Sequence, residues 1–205
     1  MRKNISKLLI LAVAMMAMAS TVSAADTATQ TVSTSVGTAI SISAANVTIP
    51  AITAGDAAQS GTGNLTVHTN SASGFHVEAE NNDAAATSLL DHTSAGDDIP
   101  DKTAWNSSTQ NGATWSGTGT GFRVVKTGTY TSAYDDSDWG TDDTAANALY
   151  AGMPASGASN TEIARSTVAE DNTNRTIVVE FKVATAASQK SGNYDGEVLY
   201  TATAN

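Results

Sequence analysis

The chain has no cysteine among its 205 residues. That excludes a disulfide framework, a thiolate zinc site, an iron–sulfur cluster and a cysteine nucleophile. Basic residues are scarce: 10 Lys and Arg stand against 20 Asp and Glu, a formal charge of −10. A nucleic-acid binder neutralises phosphates with a Lys/Arg patch, so that class is excluded too. Charged residues make up only 15% of the chain, so surface polarity must come mostly from Thr, Ser, Asn and Gly. No Gly-x-Ser-x-Gly elbow, His-Glu-x-x-His pair or phosphate loop is present, and these are local marks of hydrolytic or phosphoryl chemistry. The paired carboxylates lie in acidic loops that offer no reason for a raised pKa. The expectation is therefore a protein that is not an enzyme.

What is present begins with an address. Arg2, Lys3 and Lys7 precede an apolar run from Leu8 to about Met18, and Val22-Ser23-Ala24 supplies small residues at a cleavage point. Residues 1–24 thus read as a secretory signal peptide. The apolar run is well short of the roughly 20 residues needed to cross a bilayer. No later segment is long and apolar enough to span, so no membrane association is expected after cleavage. Losing Arg2, Lys3 and Lys7 takes the formal charge from −10 to −13. An acidic, Thr/Ser/Ala/Gly-rich exported chain fits a secreted or cell-surface protein. Residues 25–205 are long enough for one domain that buries its core without disulfide staples.

That remainder reads as strands, from period-2 alternation. In Val32 to Ile42 the even positions are Val, Thr, Val, Thr, Ile and Ile, and the odd ones are small or polar. Stiff, β-branched side chains pack well on a pleated surface. Val47 to Ile52 is interrupted by Pro50, which makes it an edge or a strand end. Leu65–Thr69 and Phe75–Glu80, joined by turn-forming residues 70–74, predict a hairpin. Phe122–Lys126, Ile177–Val183 and Tyr194–Ala202 complete the set. Residues 81–121 and 132–175 are long, acidic and hold all three tryptophans, and Ala145–Met153 has helical spacing. The expected class is all-β: an antiparallel β-sandwich, Ig-like or jelly-roll-like, with long acidic, Trp-containing loop insertions.

The run from Thr176 to Thr185, followed by Ser191-Gly-Asn-Tyr-Asp-Gly-Glu-Val-Leu-Tyr-Thr-Ala202, resembles the last hairpin of secreted prokaryotic surface β-sandwich proteins. These are the pilin-like and WxL-type wall-associated proteins. The hairpin from Asn64 to Phe75 is similar to their early hairpin, and together the two cover about a third of the exported chain. The Trp-x-Leu signature is absent, so wall binding of that type is not implied. The resemblance implies a surface-exposed, often polymeric or adhesive, non-enzymatic protein.

Two readings of the first strand stand open. Val32, Val36, Ile40 and Ile42 recur at even spacing, as a strand donated to a neighbouring subunit requires. A head-to-tail contact of that kind that does not close gives a filament, pilus or matrix. The other reading is that residues 31–43 form an ordinary first strand of their own sandwich. Partners would be further copies of the chain or other surface proteins.

Three clusters are candidate sites. If Leu65–Glu80 is a hairpin, His68 and His76 stand opposite each other with Cβ atoms about 5 Å apart, close enough to hold a transition metal; the alternative is two solvated histidines. Asp136, Asp138 and Asp142 lie at spacings that suit oxygen ligation of Ca²⁺; the alternative is a solvated acidic loop. Trp105 and Trp115, in Asn/Ser/Gly-rich loops, would stack on sugars in a monomeric carbohydrate-binding module. Otherwise they pin the loops to the core.

Overall fold

A computed structural model describes residues 31, 33–83, 88–92, 96–125, 136–140 and 147–205, with backbone alone for 136 and 137. The expected signal peptide lies outside the described residues. Contacts divide the chain into Met1–Val36 and Gly37–Asn205. In the first unit the described residues are exposed and form no strand. The second unit is built almost wholly from antiparallel strands. In chain order these are β1 (Ile40–Ala44), β2 (Gln59–Thr69), β3 (Phe75–Asn81), β4 (Asp91–His92), β5 (Ala113–Thr114), β6 (Gly119–Val125), β7 (Leu149–Tyr150), β8 (Glu162–Ser166), β9 (Asn174–Ala184), β10 (Tyr194–Asp195) and β11 (Val198–Ala204), with one helical turn, α1 (Asp136–Trp139).

Two sheets carry the fold: β1-β2-β9-β6 and β11-β3-β8. Each places alternate side chains inward. Leu65, Val67, Ile177, Val179, Phe122 and Val124 from the first sheet meet Phe75, Val77, Ala79 and Ala164 from the second in one buried core. This is the expected all-β antiparallel sandwich. Each fully buried aliphatic or aromatic side chain contributes about 1.5–3 kcal/mol, so the alternation in the sequence is also the main source of cohesion.

The two expected hairpins do not form. β2 pairs with β1 and β9, while β3 pairs with β11 and β8. Residues 70–74 therefore carry the chain from one sheet to the other. Gly74 makes this crossing at φ 87°, where a Cβ would run into the carbonyl of Ser166. At the C-terminus, β9 already has β2 and β6 on its two edges. β11 has no edge of β9 left to join and pairs with β3 instead. The helix expected over Ala145–Met153 is also corrected, for its described residues. Leu149–Tyr150 is a strand, and Ala151 exchanges backbone bonds with Phe122 at 2.7 and 3.0 Å. The free edge of β6 offered this segment a ladder, and that outweighed its helical spacing.

The insertions close one side of the sandwich. Lys102 N donates to Thr120 O at 2.8 Å, Trp105 Nε1 to Glu162 O at 2.7 Å and Ser107 N to Asn160 O at 2.9 Å. β6 and the region of β8 are thereby covered, and every residue of β6 is buried. Trp105 stacks on Trp139 at 4.1 Å between ring centroids, and Trp139 leans on Phe122. On the opposite side β1 and β11 lie against each other, and among the described residues no insertion covers them. There the inward side chains Ile40, Ile42, Val198, Tyr200 and Ala202 are only partly buried.

Candidate functional site

The β1–β11 side ends in a cavity. Segment 45–49 follows β1 and lies across the inner face of β2, where Gly61 and Gly63 leave room for it. A Cβ on Gly61 would stand 2.6 Å from Thr48 O, and one on Gly63 would stand 2.5 Å from Val47 Cγ2. Only glycine lets the segment come this close. Val47 and Ile49 therefore form one wall. Leu89, Phe181, Val198 and Tyr200 form the others, around about 360 Å³. That is near the lower end of the ~300–1,000 Å³ typical of ligand pockets. Thr120 also lines it. It is 1% exposed, and among the described residues its Oγ1 has no hydrogen-bond partner. Asn82 Nδ2 donates to Glu197 Oε2 at 3.0 Å on the rim. Burial pushes the Tyr200 phenol well above its ordinary value, so it stays a neutral, mostly apolar wall.

At the far end of β1 the chain is pinned as it enters the sandwich. Ala39 N donates to Asn70 Oδ1 at 2.7 Å, Asn70 Nδ2 to Gly37 O at 3.1 Å and Thr69 Oγ1 to Ala39 O at 2.7 Å. The Asn70 side chain acts as a local template for backbone groups. Beyond it Val36 is 84% exposed.

The other predicted site residues are placed as follows. Ile40 and Ile42 sit in β1, paired to Thr69 and Val67 of their own chain, so they belong to the subunit's own first strand. Val32 lies outside the described residues. His68 pairs with Ser41 and Asn174 in one sheet, and His76 with Thr203 and Arg165 in the other. Both project outward, on opposite faces of the sandwich, so they share no metal. The crossing at residues 70–74 is the reason. His76 Nδ1 instead lies 2.9 Å from Asn205 Oδ1.

Asp138 is 2% exposed. The Asp136 side chain and all of Asp142 lie outside the described residues. Among the described residues no group of three His, Cys, Asp or Glu side chains could hold a metal ion. Trp105 is 2% exposed, with one ring face on Trp139 and its N–H on Glu162, which withdraws it from sugar stacking. Trp115 is partly exposed, with Lys102 and Lys182 4.6 and 5.3 Å from its ring centroid. Tyr150 meets its edge. These contacts hold it as a cation–π platform over β9.

Two charged groupings escaped the sequence reading. Arg123 Nε donates to Glu180 Oε2 at 2.6 Å, with both side chains nearly buried. The residues are cross-strand partners. Burial, and after it the Glu180 charge, pushes the neighbouring Tyr150 phenol up to about 12. Asp101 accepts a bond from Leu89 N at 2.9 Å through Oδ2, and its buried Oδ1 has no partner among the described residues. Burial, with the Asp91 charge adding to it, pushes Asp101 up to about 7. Asp91 is raised as well, by burial and then by Asp98 and Asp83. Only the strand pairing brings these positions together.

A scan of protein-family models finds no match to this chain, and neither do comparisons with curated proteins and with solved structures. Among the described residues no helix is long and apolar enough to cross a membrane.

Proposed function

We propose that the protein is an exported structural subunit of the cell surface that builds an extracellular filament, pilus or matrix by β-strand complementation. The observation that carries this reading is the unequal finish of the two long sides of the sandwich. One side is covered by insertions. The other leaves the inward side chains of β1 and β11 half-buried, while an alternating Val/Thr segment precedes β1 with Val36 exposed. An extended segment added to a sheet edge gains backbone bonds from the edge and specificity from alternate side chains. The absence of catalytic motifs and the signal-like N-terminus agree with a structural role outside the cell.

The test uses the secreted chain in size-exclusion chromatography and negative-stain microscopy. Concentration-dependent ladders or fibres are expected. Deleting residues 26–36 should abolish them and leave the circular-dichroism spectrum of the folded domain unchanged. A chain that stays monomeric at every concentration would overturn the proposal and favour a monomeric binding module.

A further inference from the structure

The half-buried seam has a direction. Glu197 O accepts from Asn82 N, and Asn205 N donates to Gly74 O, so the odd-numbered residues of β11 turn their backbone groups toward β3. Backbone direction alternates along an antiparallel strand. The N–H and C=O of Val198, Tyr200, Ala202 and Ala204 therefore face the unpaired edge. Among the described residues that edge makes no backbone bond to another segment. Its first two members, Val198 and Tyr200, also line the cavity. Backbone donors, backbone acceptors and an apolar hollow thus meet at one place.

The chain enters at the other end. Ile40 lies opposite Thr69, whereas the cavity segment lies over Gly61 and Gly63. At about 3.3 Å per residue, Thr69 and Gly63 are roughly 20 Å apart along β2. From Ile40 back to Gly37 the backbone runs away from the cavity of its own copy and is pinned at Asn70. We infer that the cavity and the outer edge of early β11 form the acceptor for residues 26–38 of a second copy, so that copies join head to tail. This rests on the strand-complementation reading and gives it a location and a polarity.

The chemistry of the occupant fits. On one face of an extended Val32–Thr38 stand Val32, Thr34, Val36 and Thr38. The valines match walls made by Val47, Ile49, Val198 and Phe181. A threonine hydroxyl between them meets the need of Thr120 Oγ1, which is buried with no partner among the described residues. Such a contact joins two different surfaces, so it propagates instead of closing into a two-fold dimer.

The absence of cysteine makes the test direct. Two variants of the full secreted chain, Val36→Cys and Ala44→Cys, are purified separately, mixed during assembly and oxidised; Val32→Cys is run in place of Val36→Cys as a second donor. Ala44 lines the cavity and is exposed, so neither end needs a buried substitution. The expected result is a mixed disulfide between copies for at least one donor position, read by mass spectrometry. Val36→Asp, at an exposed residue, should abolish assembly without changing the melting temperature. Filaments that form without either mixed disulfide, and that tolerate Val36→Asp, would overturn the acceptor and leave the filament reading standing. No assembly by any variant or by the parent chain would overturn both. A Val36→Cys/Ala44→Cys double variant that cross-links only within one monomer would also overturn it, because the segment would then be filling its own cavity.

Discussion

Replacing Asp101 by Asn should stabilise the fold at neutral pH and remove part of its pH dependence. Asp101 has one oxygen on Leu89 N and the other buried without a partner among the described residues, beside a second raised carboxyl at Asp91. In the unfolded chain its carboxyl titrates near 3.8; in the fold it titrates at about 7. Between those values the folded chain holds a proton that the unfolded chain has released. Stability therefore falls as pH rises from about 4 to about 7, and levels off above that. The difference between the two pKa values sets a ceiling of about 4 kcal/mol on the loss. Asn keeps an acceptor for Leu89 N and carries no charge to desolvate. Urea denaturation at constant ionic strength, from pH 4.5 to 8, is the assay. The gain from Asp101→Asn should be small at pH 4.5 and grow to between about 1 and 4 kcal/mol at pH 8. An equal effect at both pH values, or a loss that grows with pH, would refute the reasoning, because it would mean that Asp101 is charged and well solvated in the fold.

Two further perturbations test the packing around β6 and β9. Glu180→Ala strands the Arg123 guanidinium in a buried position and should cost about 3–5 kcal/mol, whereas an Arg123→Met/Glu180→Leu double variant should recover most of that in the same urea melts. Trp105→Phe keeps most of the apolar contact with Trp139 but loses the indole bond to Glu162, so it should cost roughly 1 kcal/mol plus a small packing term, against about 3–5 kcal/mol for Trp105→Ala.

Strand identity was legible because it depends on a local property. Ile177, Val179, Phe181 and Val183 alternate with Val178, Glu180 and Lys182 whatever lies across from them, and all four are buried. Strand partnership was not legible, because it depends on which edges are already taken. Residues 70–74 have the composition of a hairpin turn, yet they join the two sheets. Nothing local to Asn70 or Gly74 distinguishes a turn that reverses within a sheet from one that steps between sheets. The histidine pair failed with that inference, since its geometry assumed the hairpin. The cavity was missed for a related reason. Val47, Ile49, Leu89, Thr120 and Tyr200 are spread over more than 150 positions of the chain, and only Gly61 and Gly63 gave a local hint, as glycines in a strand often mark close backbone approach. Asp101 carries no local mark of burial, since only the fold sets its Oδ2 on Leu89 N.

The finish of the sandwich edges joins these separate observations. An unpaired strand edge invites another chain, and proteins usually shorten, charge or cover it. Here the β6 side is covered at length, by a segment that gives up its helical spacing to do so and by tryptophans taken from the loops. The β11 edge receives none of this. Its seven residues include no Lys, no Pro and no inward-facing charge, and its inward positions are Val198, Tyr200, Ala202 and Ala204. Along the sequence the nearest charged side chain is Glu197, just before the strand and already engaged with Asn82, while Glu78 and Glu80 stand across from Thr201 and Leu199 on the outward face. A chain with ten net negative charges is protected from indiscriminate association by self-repulsion. Against that background one uncharged, hydrogen-bonding edge beside an apolar hollow is selective. The segment proposed to fill it is itself nearly uncharged: residues 27–38 contain no charged side chain at all. The uncharged composition of residues 27–38 and of β11 thus gives the proposed contact its chemistry on both sides.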